Sequence, residues 1–312
     1  MVQRAKKKKS GIRIFVIFLL LVVVSAFVYK SITPGTQNIF ERKYGAASVS
    51  ISISPDKLNS PNVILIRLKD STVLMQKNSG KKIFPASLTK MMTAIIAIEN
   101  LPDLKEEIKL TNSTFEGLFE ADAALAGFQP GENVNAIDLI YGVLLPSGAE
   151  SCIALGDQIA GSEKGFVKMM NEKAADLGMD NTHFENATGL HDENHYTTVK
   201  DLAILLSYAL QNGTFREVFT SSRHSTRPTN RHPDGITFYS TMFKGLDKQN
   251  IAGGEILGGK TGYTNRAGLC LASLAKVGKQ EYIMVSAGAK GDNHSEQYNI
   301  TDALAVYESL KR

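Results

Sequence analysis

Three short stretches of the chain hold residues whose types and spacing could do chemistry. The first is FPASLTKMMTA (Phe84–Ala94), where the Ser87 hydroxyl stands three residues before the Lys90 amine. A serine hydroxyl is a poor nucleophile until a base removes its proton. Residues three apart on a helix share a face, so the amine can reach the hydroxyl. Lysine is a base only when neutral, and burial lowers its pKa. The neighbours Leu88, Met91, Met92, Ala94, Ile95 and Ile96 are apolar and predict that burial. Free N–H groups at the helix start favour a developing oxyanion. Taken alone, the stretch also reads as a Ser87 cap and a surface lysine.

The second stretch is LLPSGAES (Leu144–Ser151), between two apolar helical segments. That placement suits pointing Ser147 into a cleft, where a second hydroxyl could pass a proton to a leaving amine. Alone it reads as an interhelical turn. The third is GGKTGYT (Gly258–Thr264), leading into a strand. Its small residues leave room for a substrate along the strand edge. Lys260 offers a fixed cation, and Thr261 a hydroxyl, to a carboxylate. Backbone N–H groups at Ser87 and Tyr263 could form an oxyanion hole. Alone it reads as a glycine-rich turn.

The elements that must position these residues follow from periodicity. VILIRL and TVLMQK flank KDS (Lys69–Ser71) and predict a hairpin starting near Asn62. ASVSISIS, before it, alternates like a short strand. Apolar residues recur at helical spacing in Asn135–Leu145, Glu150–Ala160, Ser162–Gly178 and Thr198–Gly213. The last opens with a Thr198/Asp201 capping pattern. Ala267–Val277 and Glu281–Ala289 read as strands, and 295–311 as an amphipathic helix. Strands at both ends around a helical block predict an α/β (α+β) fold. Its antiparallel sheet is formed by N- and C-terminal strands, flanked by helices, with a largely helical inserted subdomain.

The 312 residues are 43% hydrophobic and 21% charged, with net charge +4. Much of that charge is the run Lys6–Lys9 with Arg4 and Arg13, so no basic surface calls for nucleic acid. Ile12–Lys30 is apolar and near the short limit for a membrane span. It reads as an uncleaved anchor, or as a signal peptide with Val24–Ala26 as its cleavage site. The basic side stays cytoplasmic, so everything after Lys30 is expected beyond the membrane. The expected organisation is a basic and hydrophobic segment at 1–30, a Ser/Thr/Asn/Pro-rich spacer at 31–60, and a catalytic domain at 61–312. Cys152 and Cys270 lie in apolar surroundings and read as buried free thiols. His191 and His195 are four apart, but among turn residues, so no metal site is expected; His183 reads as structural.

With all three motifs in this order, the chain resembles the low-molecular-mass penicillin-binding proteins. These are the serine-type D-alanyl-D-alanine carboxypeptidases of peptidase family S11, with a β-lactamase/transpeptidase-like fold. The likeness runs from about Asn62 to the C-terminus. It includes LIYGVLLPSG, NTHFENATGLHDENHYTTVKDLAILLSYAL and GGKTGYTNRAGLCLASLA. The resemblance implies removal of the terminal D-alanine from peptidoglycan stem pentapeptides through an acyl-enzyme, without a cofactor. It implies β-lactams as acylating inhibitors. Ser87 would be the nucleophile, Lys90 the base and Ser147 the proton relay, with Lys260, Thr261, Gly262 and Tyr263 binding substrate. Localisation would be the extracytoplasmic membrane face, through an N-terminal single-pass anchor, or secretion after cleavage.

The chain departs from the family pattern at Ala149, where an Asn usually hydrogen-bonds the substrate amide. No C-terminal β-domain is expected either. Arg223, Arg227 and Arg231 are candidates to assist Lys260. A class A β-lactamase would need E-x-x-L-N, and FENATGL offers Glu185 with other neighbours. A weakly catalytic penicillin-recognising binder or sensor of wall peptides is the other reading, favoured by Ala149.

Overall fold

The computed structural model describes residues 50–246 and 248–311. The basic run, the apolar segment Ile12–Lys30 and residues 31–49 of the expected spacer lie outside the described residues. Among the described residues, no helix is long and apolar enough to cross a membrane.

In chain order the strands are β1 (Ser50–Ile51), β2 (Asn62–Arg67), β3 (Thr72–Lys77), β4 (Glu107–Lys109), β5 (Asn133–Asn135), β6 (Arg223–Ser225), β7 (Thr237–Tyr239), β8 (Asn250–Ile251), β9 (Gly254–Thr264), β10 (Gly268–Val277), β11 (Gln280–Ala289) and β12 (Leu310–Lys311). The helices are α1 (Lys90–Asn100), α2 (Ala136–Leu144), α3 (Ala149–Ala160), α4 (Glu163–Asp176), α5 (Val199–Ala209), α6 (Gly213–Thr220), α7 (Thr241–Lys244) and α8 (Tyr298–Glu308).

The main sheet runs β3-β2-β11-β10-β9-β8, with every neighbouring pair antiparallel. Strands from the two ends of the chain thus meet at β2 and β11, as the sequence pattern predicts. Val63–Ile66 is a continuous apolar run because the sheet is covered on both faces. Val63 and Leu65 point to one face, with Leu271, Ala275 and Met284, and meet Ile300, Ala303, Val306 and Tyr307 of α8. On the other face α5 packs against β2 and β11. α5 begins as predicted: Thr198 Oγ1 accepts the Asp201 N–H at 3.0 Å.

The structure departs from the sequence pattern at several elements. Ser87 does not lie on the α-helix. It sits in a 3₁₀ turn, Ala86–Thr89, and the α-helix starts only at Lys90. Ala86 has φ +47°, which ends helical geometry on its N-terminal side. The segment GGKTGYT is the end of strand β9 and not a turn before a strand. Its glycines stand where other backbone passes close by. The helix from Thr198 stops at Ala209, and a separate helix follows from Gly213. α8 is shorter than 295–311, because Leu310 and Lys311 leave it to pair with β1.

That pairing moves the domain boundary. Residues 50–60, expected as spacer, pack onto the fold. Leu58 joins the α8 core cluster, and β1 pairs with β12. Asp302 of α8 accepts the Asn59 N–H at 2.9 Å, the Asn59 side-chain amide at 3.0 Å and the Ser60 N–H at 2.7 Å. One buried carboxylate therefore ties the segment entering the sheet to the last helix. Asp302→Ala leaves the buried Ser60 N–H unpaired, which costs roughly 1–3 kcal/mol, while the exposed Asn59 donors can turn to water. Chemical denaturation of Asp302→Ala against wild type is expected to read a loss of about 1–3 kcal/mol.

Candidate active site

The seam between the sheet and the helical block is a cleft of roughly 860 Å³, lined by Ser87, Lys90, Ser147, Thr261 and Tyr263 among others. Segments from across the chain converge there. The 3₁₀ turn and α1 supply Ser87 and Lys90, the α2–α3 turn supplies Ser147, β9 supplies Lys260 to Tyr263, and residues 186–191 close one wall.

Lys90 Nζ lies 3.3 Å from Ser87 Oγ and donates to the Thr188 carbonyl at 2.6 Å. In a 3₁₀ turn, residues i and i+3 stack directly, which sets the hydroxyl above the amine. Lys260 Nζ donates to Ser147 Oγ and to the Thr261 carbonyl, both at 2.9 Å. Lys90 is 3% exposed and Lys260 is fully buried. Neither amine is ion-paired with a carboxylate among the described residues. Burial pushes the pKa of Lys90 down from the usual lysine range, opposed in part by the charge of Glu150. Burial pushes Lys260 well below that range, and the neighbouring Lys90 charge pushes it the same way. Two amines so placed hold protons weakly, which suits one of them to take a proton from a hydroxyl.

Two of the positive-φ residues border this chemistry. Ala86, before Ser87, has φ +47°, and Ser147 itself has φ +72°. Such backbone costs roughly 1–3 kcal/mol per residue and persists where the surroundings enforce it. The enforcing parts are visible. Asn186 Oδ1 accepts the N–H groups of Thr188 and Gly189 at 3.2 and 2.7 Å, which shapes the turn that presents the Thr188 carbonyl. Gly189 has φ +80°, and a Cβ there would run into the Ala86 carbonyl. On the opposite side β9 passes the Ser87 backbone. A Cβ on Gly262 would lie 3.0 Å from Ser87 N. Beside Ser147, Glu150 Oε1 accepts the Ala126 and Gly127 N–H groups at 2.7 and 2.9 Å, and holds the 121–127 loop on the cleft rim.

Strand alternation separates Lys260 from Thr261. Lys260 pairs with Ala272 and points inward beneath Ser147; it is not a lining residue of the cleft. Thr261 pairs with Leu271, so its side chain points to the α8 face, where Thr261 Oγ1 is 2.6 Å from Thr241 Oγ1 of α7. Tyr263 lines the cleft, with its hydroxyl donating to Asn265 Oδ1 at 2.7 Å. Ala149, the first residue of α3, also lines the cleft, and its N–H goes to the Ala124 carbonyl at 2.8 Å. Arg223, Arg227 and Arg231 do not line it; the arginine that does is Arg266 and the exposed lysine is Lys244.

His195 and His183 take structural places, while His191 lines the cleft. His195 is 2% exposed, its Nε2 is 2.8 Å from Thr89 Oγ1, and its Nδ1 accepts the Glu185 N–H at 3.0 Å. Both ring nitrogens are thus committed within the fold, beside the turn that carries Ser87. His191 packs edge-on against Phe84, and His183 pairs through its backbone with Tyr196. Cys152 and Cys270 are both free and buried; burial pushes each thiol up to about 12.

Sequence reading missed the Thr188 carbonyl, Thr241, Glu150 and the His195 clasp. A backbone carbonyl has no residue-type signature. The one available signal was the turn-forming string NATG (Asn186–Gly189).

An antiparallel sheet joined by both chain ends, with a Ser-x-x-Lys pair of half-buried hydroxyl and buried amine at its seam with a helical block, is the fold of the serine DD-peptidases. It superposes on the crystal structure of the Streptomyces K15 DD-transpeptidase with a TM-score of 0.73 at 25% identity, covering 82% of this chain and 98% of that one. The chain belongs to the D-alanyl-D-alanine carboxypeptidase family, Peptidase S11, whose sequence model matches residues 49–291. It is 35% identical over 242 residues to the D-alanyl-D-alanine carboxypeptidase DacF of Bacillus subtilis (strain 168), covering 73% of this chain and 57% of that relative. With DacC of Escherichia coli (strain K12) it shares 32% identity over 259 residues, covering 79% of this chain and 62% of that relative. The chain thus spans about three fifths of the length of these two curated relatives.

Burial lowers the His195 pKa to about 4 from the usual 6.5. The neutral ring's contribution to stability is therefore complete above about pH 6.5. It is lost as pH falls through 6.5 toward 4, because the unfolded chain takes up the proton first. Denaturation of wild type and His195→Gln across pH 4–7 isolates this contribution. The wild-type advantage is expected to shrink on acidification by at most about 3 kcal/mol.

Proposed function

We propose that this chain is a serine D-Ala-D-Ala carboxypeptidase acting on peptidoglycan stem pentapeptides. The observation that carries the reading is the buried Lys90 amine, without a carboxylate partner among the described residues and 3.3 Å from Ser87 Oγ, with a second buried amine on Ser147. Lys90 takes the Ser87 proton as Oγ attacks the carbonyl of the penultimate D-alanine. The Ser87 and Tyr263 N–H groups receive the developing oxyanion. The C–N bond breaks, Ser147 delivers its proton to the leaving amine and takes up the one held by Lys90, and an ester remains on Ser87. Water, with Lys90 again as base, releases the shortened peptide. A β-lactam enters the same path and stalls at the ester. The names of the family and of its relatives support the substrate class.

The site is proposed to work on the extracytoplasmic side of the membrane. The apolar run Ile12–Lys30 behind a basic stretch supports an anchor, or a cleaved leader as the alternative. A second reading, a penicillin-recognising sensor with slow turnover, draws on Ala149, which offers the substrate amide no polar side chain.

Purified protein is expected to release D-alanine from a pentapeptide ending in D-Ala-D-Ala and to be labelled by penicillin. Labelling without D-alanine release would leave the sensor reading. Ser87→Ala is expected to abolish both activities. Lys90→Arg should lower acylation about 100-fold or more, because a guanidinium is no base at neutral pH. Retained turnover in either variant would place the chemistry elsewhere. Ala149→Asn is expected to speed turnover by roughly 2- to 10-fold, the range of one neutral hydrogen bond; steady-state kcat checks it.

A further inference from the structure

The carboxypeptidase reading leaves one charge unanswered. A substrate with a free C-terminal carboxylate brings an anion into the cleft, and the lysine of the third motif is not placed to meet it. Lys260 is fully buried, its donors go to Ser147 and the Thr261 carbonyl, and it does not line the cleft. Lys90 is buried against Ser87 and Thr188.

The geometry fixes where the carboxylate must go. A scissile carbonyl within reach of Ser87 Oγ would sit beside Gly262, where β9 passes Ser87 N. The leaving amine takes its proton from Ser147, which is held by Lys260. The leaving residue therefore extends toward the Lys260–Thr261 end of the motif, and the retained acyl portion toward Tyr263 and beyond. The first polar groups on the leaving side are the paired hydroxyls of Thr261 and Thr241.

Among the described residues, two exposed cations line the cleft, at opposite ends of this axis. Arg266 follows β9, on the acyl side. It is already paired with Glu193 at 3.0 Å and lies over the Phe84 ring. Lys244 stands on α7, three residues after Thr241, and so on the same face of that helical turn. It is exposed, lines the cleft and has no ion-pair partner among the described residues; its ammonium lies over the exposed Tyr239 ring, 5.6 Å from the centroid. A flexible ammonium beside two hydroxyls is a carboxylate receptor.

We propose that Lys244, with Thr241 and Thr261, binds the C-terminal carboxylate of the leaving residue and makes the enzyme selective for free-acid termini. This rests on the carboxypeptidase reading. Lys260 then acts on Ser147, not as the carboxylate's counter-ion.

The test compares two pentapeptides that differ only at the terminus, one ending in D-alanine and one in D-alaninamide. Wild type is expected to favour the free acid. In Lys244→Met the acid-to-amide ratio of kcat/KM should fall about 10- to 100-fold, the range of a charge-assisted hydrogen bond. Lys244→Arg should keep most of the preference. An unchanged ratio in Lys244→Met, or equal losses on both peptides, overturns the assignment. Loss of the preference in Arg266→Met instead would move the receptor to the acyl side and overturn it too. If wild type cleaves neither peptide, the carboxypeptidase reading itself falls, an outcome distinct from the others.

Discussion

Two lysine amines lie buried within one site, and neither forms an ion pair with a carboxylate among the described residues. Burying a charge without a partner is costly, so each amine is driven toward its neutral form. The cost would be a defect in a core. Here it suits Lys90 to the base role proposed for it, and Lys260 spends a donor on the Ser147 hydroxyl. The arrangement depends on the apolar neighbours of α1, which keep water from Lys90 without offering a counter-charge.

The same site stores backbone strain. Ala86 and Ser147 both hold left-handed conformations, at the two places where hydroxyls must face the amines. Neither conformation is favoured by its residue type. Each is held by parts distant in sequence. The Asn186–Gly189 turn and β9 close on Ser87 from opposite sides, and His195 grips Thr89. These contacts join the helical block to the sheet, so the site exists only when both are assembled. The sheet, in turn, depends on the closure of the two chain ends through β2–β11 and through Asp302.

Much of the architecture was legible in the sequence. The hairpin at β2–β3, most of the helices and the strands β10 and β11 follow from periods of 2 and 3.6 in the apolar residues. What failed did so for physical reasons. Ser87 left the α-helix because Ala86 turns left-handed, a state that its side chain does not announce. GGKTGYT looked like a turn, because a glycine required by a neighbouring backbone is locally identical to one required by a turn. The spacer at 50–60 read as polar because its anchor, Asp302, lies at the far end of the chain.

The sequence alone determined which groups could react: a hydroxyl and an amine three apart, a second hydroxyl, and a lysine beside a threonine, in one order. Spacing along the chain carries that information because it survives any fold that keeps the local geometry. Tertiary structure alone decided which group each of them faces. Strand alternation turned Lys260 inward to Ser147 and Thr261 outward to Thr241. Packing of β9 against α7 brought Lys244 to the cleft and left Arg223, Arg227 and Arg231 outside its lining. These are contacts between residues far apart in sequence, and no local pattern encodes them.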